Sequence, residues 1–256
     1  MASQEEIINS FEPKDKLNPK IWYTPKGEDT PKMQPEVRKA LLKAAQEFIE
    51  YIKIDFFFSD IVMPGSLANY NWSKFSDADV HIIVDLNQFD EEDIPLYQEL
   101  FKIKKTLFNN THNIKVRGYD VEMYIEDSSV PKFSQGTYSI MFDEWVSVPK
   151  KEEFKIDKDT LRKKIKGWMD QIDLVIDQSE DEDIVGAKKL IKVIDDKLKK
   201  YRTDGLRKGG EQSYENLVFK YLRRNGYIEK LKNFETEFVD KKLSVEQTEE
   251  YVNIHH

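Results

Sequence analysis

Two aspartates at a fixed spacing carry the clearest chemistry in this sequence. Asp77 and Asp79 lie in the segment DADVHIIV, which reads as a β-strand. Because side chains alternate along a strand, Asp77, Asp79 and His81 share one face, while apolar residues occupy the other. Two carboxylates about 7 Å apart at their Cα atoms repel each other unless a cation lies between them. Since Mg²⁺ binds carboxylate oxygens together with substrate phosphates, the pattern indicates a metal site.

A Gly-Ser pair upstream could supply a phosphate-binding turn for the same site. Gly65 and Ser66 follow a short apolar run that Pro64 and Gly65 bring to an end. Gly65 lets the backbone approach a ligand closely, and Ser66 offers a hydroxyl followed by amides that could form an anion nest. The alternative is a plain turn before a surface strand. That alternative accounts poorly for acids that interrupt an apolar strand.

The sequence offers two candidates for a third carboxylate, Asp120 and Glu122. Both fall on one face of a strand that follows the Gly118 turn. We favour Glu122, because Val121 and Met123 flank it with apolar side chains, whereas Asp120 lies nearer the turn.

Composition limits the class of protein. The chain has 256 residues, a net charge of −8 and no cysteine. The absence of cysteine excludes disulfides, thiolate catalysis and cysteine-based zinc sites. The negative charge argues against general electrostatic binding of nucleic acid, although a local basic groove stays open. With no apolar signal-peptide core and no run long enough to span a bilayer, we expect a cytoplasmic protein without a membrane partner.

We predict an α+β protein with three regions. Residues 1–32 form an N-terminal arm, 33–150 a domain with a small mixed β-sheet and helices on one side, and 151–256 a helical domain. The arm is expected to be extended and to dock through residues 21–23; a partly disordered leader is the alternative.

Helix signals recur along the chain. Apolar spacing predicts a helix from Pro35 to about Ile54, and residues 90–93 form an acidic helix start. In the helical domain, Ser213 is expected to cap a helix that ends near Gly226. Residues 202–210 read as a flexible basic loop, and Ser244 as the start of a last short helix.

The ordered set of Gly65, Ser66, Asp77 and Asp79, followed by an acid in a third strand, resembles the signature of the DNA polymerase β-like nucleotidyltransferases. The segments GSLANYNW, SDADVHI, GYDVEMYIED and SYENLVFKYLRRNGY together look like a group of predicted nucleotidyltransferases of phages and bacteria. Those proteins pair an N-terminal polymerase β-like domain with a helical tail. One departure is the third acid, which is Glu122 where many superfamily members have Asp.

The resemblance implies a reaction. Asp77, Asp79 and Glu122, with Asp120 as the alternate third acid, would hold two Mg²⁺ or Mn²⁺ ions. Gly65 and Ser66 would grip the terminal phosphates of an NTP. The enzyme would move an NMP to a hydroxyl on RNA, a partner protein or a small molecule and release pyrophosphate.

Further nucleotide-binding candidates lie outside this signature. Lys74 could contact phosphate, with an ordinary exposed lysine as the alternative. In enzymes of this kind a helical domain helps to hold the base and the acceptor, and the candidates there are Tyr214, Asn216, Lys220, Arg223 and Arg224. The competing hypothesis is a catalytically silent regulatory module that binds a nucleotide or RNA. The acceptor, the base preference and the oligomeric state stay open at this point.

Overall fold

The computed structural model describes residues 3–130, 134–151 and 155–244. The chain divides into two compact units. The sheet unit is Ile8–Lys155, and the helical unit is Met1–Ile7 together with Ile156–His256. Strands and helices are both well represented, so the protein is a mixed α+β protein, as predicted.

The sheet unit contains a small two-stranded sheet and a mixed six-stranded sheet. The strands are β1 (Trp22–Tyr23), β2 (Lys32–Met33), β3 (Phe58–Met63), β4 (Ala78–Val84), β5 (Lys115–Val116), β6 (Tyr119–Asp127), β7 (Thr137–Ser139) and β8 (Glu144–Ser147). The order in the large sheet is β5-β6-β4-β3-β7-β8. Strands β4 and β6 run parallel, while the other neighbours are antiparallel.

Helices make up most of the remaining described chain. They are α1 (Gln4–Asn9), α2 (Pro35–Ile52), α3 (Ile94–Thr111), α4 (Lys158–Glu180), α5 (Ile184–Gly209), α6 (Tyr214–Arg224) and α7 (Tyr227–Leu243). Pro35 is the first residue of α2, where its missing N–H costs no helical hydrogen bond. Among the described residues, no helix combines the length and apolar character needed to cross a bilayer.

The core of the sheet unit follows from the alternation along β4. Val80 and Ile82 are fully buried and belong to the same apolar cluster as Leu41 and Phe48 of α2. Asp79 points to the opposite side of the strand and is half-buried. The acids therefore interrupt the apolar pattern of the sequence without interrupting the core.

The outer edge of β6 is closed in two ways. A hairpin joins β5 to β6 through Arg117 and Gly118, whose φ angles of 54° and 89° suit a two-residue turn. Beyond β5, the Asn109 side chain on α3 donates to the Met123 carbonyl at 3.0 Å and accepts from the Met123 amide at 2.9 Å. Helix α3 thus lies along an edge where a strand would otherwise pair.

The N-terminal region contributes to the sheet unit. Ile21 and Trp22 are buried, while Tyr23 is exposed. The Trp22 indole donates to the Leu67 carbonyl at 2.7 Å and stacks on Trp145 with ring centres 4.5 Å apart. Residues 4–9 form helix α1 instead of the extended segment expected there.

One correction concerns the helical unit. Residues 202–210 are not a flexible loop, because α5 continues through them to Gly209. Gly205 is buried, and a Cβ at that position would lie 2.3 Å from the Glu215 Cβ of α6. Glycine at position 205 therefore allows α5 and α6 to pack closely, whereas the sequence pattern favoured a break in the helix there. Helix α7 lies in the region predicted to be helical, after the helix expected to end near Gly226, and the helix expected after Ser244 lies outside the described residues.

Candidate functional site

Three carboxylates meet on one face of the sheet. One side-chain oxygen each of Asp77, Asp79 and Glu122 lies within 4.8 Å of the other two. Asp79 and Glu122 are register partners on the parallel strands β4 and β6, and Asp77 directly precedes β4. All three residues are half-buried. The register of the two strands brings Asp79 and Glu122 together, and Asp77 lies one residue before β4; we call the three residues the acidic cluster.

The structure separates the two candidates for the third acid. Glu122 belongs to the acidic cluster. Asp120 is exposed, lies opposite Lys115 of β5 and forms an ion pair with its ammonium group. Of these two residues, Glu122 is the one placed beside the aspartates.

Gly65 lies directly against the acidic cluster. Its φ of +82° is in the left-handed region, and a Cβ built there would be 2.5 Å from Asp79 Oδ2. Its amide donates to the Ser134 hydroxyl at 3.1 Å. No side chain larger than hydrogen fits between this turn and the carboxylate. The turn and the acids are therefore parts of one surface.

Ser66 is tied to the segment that leads into β4. Its hydroxyl donates to the Ser76 hydroxyl at 2.7 Å, and the residue is 9% exposed. Ser76 is the residue before Asp77, so this hydrogen bond fixes the turn relative to the acids. A phosphate contact from the Ser66 hydroxyl would have to share or replace it.

Tyr124 orients the third carboxylate. Its hydroxyl donates to Glu122 Oε2 at 2.5 Å, and its ring stacks on His81 with centres 4.6 Å apart. Burial, the charge of Asp79 and the hydrogen bond to Glu122 hold the pKa of Tyr124 well above its usual range. It therefore stays a neutral hydrogen-bond donor. We did not predict Tyr124, although two-residue alternation from Glu122 places it on the same face.

Lys105 of α3 brings a positive charge to the acidic cluster. Its Nζ lies 4.1 Å from the centre of the Tyr124 ring. Burial lowers the pKa of Lys105, and the negative charges of Glu122 and Asp79 act in the opposite direction. The amine thus offsets part of the charge of the cluster. The sequence pattern does not single out Lys105, because it lies on a lysine-rich helix whose orientation depends on the tertiary fold.

His81 shares the face of Asp79 but has another partner. Its Nδ1 is 2.8 Å from Glu126 Oε2. The contact gives His81 a partner on the neighbouring strand β6.

The chemistry of the acidic cluster suits a hard divalent cation. Three carboxylate oxygens are ligands for Mg²⁺, Mn²⁺ or Ca²⁺ and not for soft metals. Oxygens that share one Mg²⁺ at about 2.1 Å are separated by at most about 4.2 Å. The observed limit of 4.8 Å means that a closure of less than about 1 Å would bring the three into range of one ion. The residues present therefore fit a metal of this class.

Lys74 lies in the connection before the acids. It is exposed, and its Nζ is 5.0 Å from the ring centre of the neighbouring Phe75.

The candidates in the helical unit make contacts within that unit. The Tyr214 hydroxyl accepts a hydrogen bond from the Asp157 amide at 3.0 Å. Asn216 is 1% exposed, donates to the Glu211 carbonyl at 2.7 Å and accepts from Arg202 at 3.3 Å. These two side chains hold the ends of helices together.

Lys220 and Arg224 belong to a cationic region of the helical unit. Lys220 Nζ is 3.7 Å from Glu211 Oε2, and its side chain is 18% exposed. Burial lowers the pKa of Lys220, and the positive charges of Arg224, Arg202 and Arg223 lower it further. The structure therefore groups the basic candidates with one another.

Comparisons with protein-family models, with curated proteins and with solved structures find no match.

Proposed function

We propose that this protein is a metal-dependent nucleotidyltransferase that moves an NMP from an NTP to a hydroxyl group. The observation that supports this most strongly is the acidic cluster, with oxygens of Asp77, Asp79 and Glu122 within 4.8 Å of one another. Three half-buried carboxylates at this separation repel each other, and Lys105 offsets part of their negative charge. A binding site for divalent cations explains why they are grouped.

The Gly-Ser turn supports a phosphate ligand beside the metal. Gly65 brings its backbone against Asp79 with no side chain between them. A phosphate group held at this turn would be next to the carboxylates, as Mg²⁺ sites that share their ion with substrate phosphates require. The resemblance to the DNA polymerase β-like enzymes covers the residues from Gly65 to Glu122 and points to the same arrangement.

The acidic cluster would hold two Mg²⁺ or Mn²⁺ ions. When bound, such ions neutralise phosphate charge and favour attack by a hydroxyl group. The acceptor oxygen forms a bond to the α-phosphorus, the bond from that phosphorus to the bridging oxygen breaks, and pyrophosphate leaves while the hydroxyl proton passes to solvent. Tyr124 holds Glu122 in place, and Lys105 keeps a positive charge beside Tyr124, where it offsets part of the negative charge of Glu122 and Asp79.

Pyrophosphate release tests the proposal. Each of the four NTPs is supplied with Mg²⁺ or Mn²⁺, with and without total RNA. The variant carrying Asp77→Ala and Asp79→Ala should release none. A matched variant, Glu91→Ala with Glu92→Ala, removes the same charge from exposed positions and should keep the activity.

The result also separates the competing function. If an NTP with metal raises the melting temperature and no pyrophosphate is released, the protein is a regulatory module that binds nucleotides without turnover. If the double aspartate variant releases as much pyrophosphate as the wild type, the acidic cluster is not the reaction site.

A further inference from the structure

A groove adjoins the acidic cluster on the side of Glu122. It has a volume of about 550 Å³ and lies between the C-terminal half of α3 and the β5–β6 hairpin. The lining residues that matter here are Lys105, Asn109, Asn110, Asn113, Asp120 and Glu122. Glu122 is thus shared by the groove and the acidic cluster.

The order of the strands separates two sides of the site. The Gly65 turn follows β3, Asp79 lies on the central strand β4, and Glu122 lies on β6, with the groove beyond it. A transfer reaction needs two substrates that approach the same phosphorus from different directions. If the NTP phosphates lie at the Gly65 turn, the groove on the opposite side is the place for the acceptor.

The groove presents uncharged polar groups. Asn110 and Asn113 are exposed, and neither side-chain amide forms a hydrogen bond with another described residue. Each amide offers two donors and one acceptor, which suits hydroxyl groups. Asn109, in contrast, is committed to the backbone of Met123.

The charges of the groove do not suit a polyanion. Lys105 is the lysine of the described lining, and Glu122 and Asp79 already act on its charge. Asp120 is paired with Lys115. Binding of RNA draws its affinity from several cations that neutralise phosphates, and this groove has no such surplus. Its volume instead falls within the range of about 300–1,000 Å³ that is usual for small-molecule sites.

We propose that the acceptor is a small uncharged polyhydroxylated molecule, sugar-like in its chemistry, that binds in this groove. The proposal rests on the function proposed above. One acceptor hydroxyl lies at Glu122 and attacks the α-phosphorus, while Asn110 and Asn113 bind other hydroxyls. The product is a phosphodiester between the NMP and the acceptor, with pyrophosphate as the leaving group.

Label transfer from α-³²P-labelled NTP tests the proposal. Three acceptor arms are compared: neutral sugars and polyols (glucose, sucrose and inositol), total RNA, and unfolded protein. We expect the label in the first arm. Replacing Asn110 and Asn113 together by Ala should raise the KM for that acceptor about 25-fold, from about fivefold for each lost hydrogen bond. Asn233→Ala, an exposed asparagine of α7, should leave it unchanged.

The outcomes distinguish this proposal from the one on which it rests. Label in RNA or protein, an unchanged acceptor KM in the Asn110/Asn113 variant, or metal-dependent NTP binding with no label in any arm would each overturn the proposed acceptor class. The metal-dependent NTP affinity should stay within about twofold of the wild type in that variant, because it keeps the acidic cluster. Absence of metal-dependent NTP binding in the wild type would overturn the nucleotidyltransferase itself.

Discussion

Asp79 and Glu122 lie opposite each other on two parallel strands, and the register of those strands sets the distance between their carboxylates. Parallel neighbours need a long connection, and here the connection from β4 to β6 runs through α3. The same helix carries Lys105 to the acidic cluster. One crossover therefore places both the third carboxylate and the cation beside it.

Removing the aspartates should separate metal binding from folding. In EDTA, the variant with Asp77→Ala and Asp79→Ala should melt at the wild-type temperature or higher, because two repelling charges are gone. Mn²⁺ at about a hundred times its Kd should raise the wild-type melting temperature by about 5–10 °C and leave the variant unchanged. Differential scanning fluorimetry measures both. A variant that fails to fold would indicate a structural role for the acids.

Gly65→Ala should disturb both the backbone and Asp79. An alanine at φ +82° loses about 1–2 kcal/mol, and its Cβ would meet Asp79 Oδ2 at 2.5 Å. Gly27→Ala is the matched control, because Gly27 has φ +87° and no described atom lies within 4 Å of its Cβ position. Both variants should lose stability in urea titrations, but only Gly65→Ala should also lose the Mn²⁺-induced rise in melting temperature. An equal Mn²⁺-induced rise in melting temperature in Gly65→Ala and Gly27→Ala would show that the Gly65 turn does not position Asp79.

Lys105 should give the stability a measurable pH dependence. Burial lowers its pKa in the folded protein below the ordinary value of 10.5. Between the folded pKa and 10.5, the unfolded chain binds more protons than the folded one, so the free energy of unfolding rises with pH. Lys105→Met removes this titration. The wild-type minus variant difference, from urea titrations in EDTA, should therefore increase as the pH rises toward 10.5.

Lys102→Met supplies the baseline for that experiment. Lys102 lies on the same helix, with a side chain that is 73% exposed. The result that contradicts the prediction is a wild-type minus Lys105→Met difference in the free energy of unfolding that follows the Lys102→Met baseline or falls with pH. Either result would show that burial of Lys105 does not cause the pH dependence.

Asn216→Ala should destabilise the helical unit. The buried side chain donates to the Glu211 carbonyl and accepts from Arg202, so its removal breaks both hydrogen bonds. We expect a loss of about 1–3 kcal/mol in the free energy of unfolding. The metal response of the acidic cluster should persist, and exposed Asn233→Ala should stay within about 0.5 kcal/mol of wild type. A stable Asn216→Ala protein with weakened NTP affinity would instead favour the nucleotide-binding role predicted from the sequence.

The local alternation of residues is enough to predict which side chains of β4 are buried. Alternation separated Asp79 and His81 from the buried Val80 and Ile82, because the burial of one strand face is recorded in the residues themselves. The preference for Glu122 over Asp120 depends on the apolar residues on either side of Glu122. Glu122 is also the one of the two that lies in the acidic cluster.

Residues that depend on the packing of distant elements could not be found in this way. Lys105 resembles any lysine on an exposed helix face, and only the position of α3 along β6 brings it to Tyr124. The glycines around Gly205 favour a loop prediction, because the close approach of Glu215, which makes glycine necessary in α5, leaves no mark on the neighbouring sequence. Sequence periodicity reports which side of an element is buried, but it does not report which element covers it.

The pairing of Asn109 with Met123 also bears on solubility. An unpaired stretch of strand offers its amide and carbonyl groups to any other chain in an extended conformation, which is how sheets add strands and aggregate. Asn109 presents an amide group that mimics a peptide, so it occupies both hydrogen-bonding groups of Met123 from a helix that cannot itself extend the sheet. Replacing Asn109 by Leu should therefore promote intermolecular strand addition, detectable as concentration-dependent light scattering at temperatures where the protein is still folded.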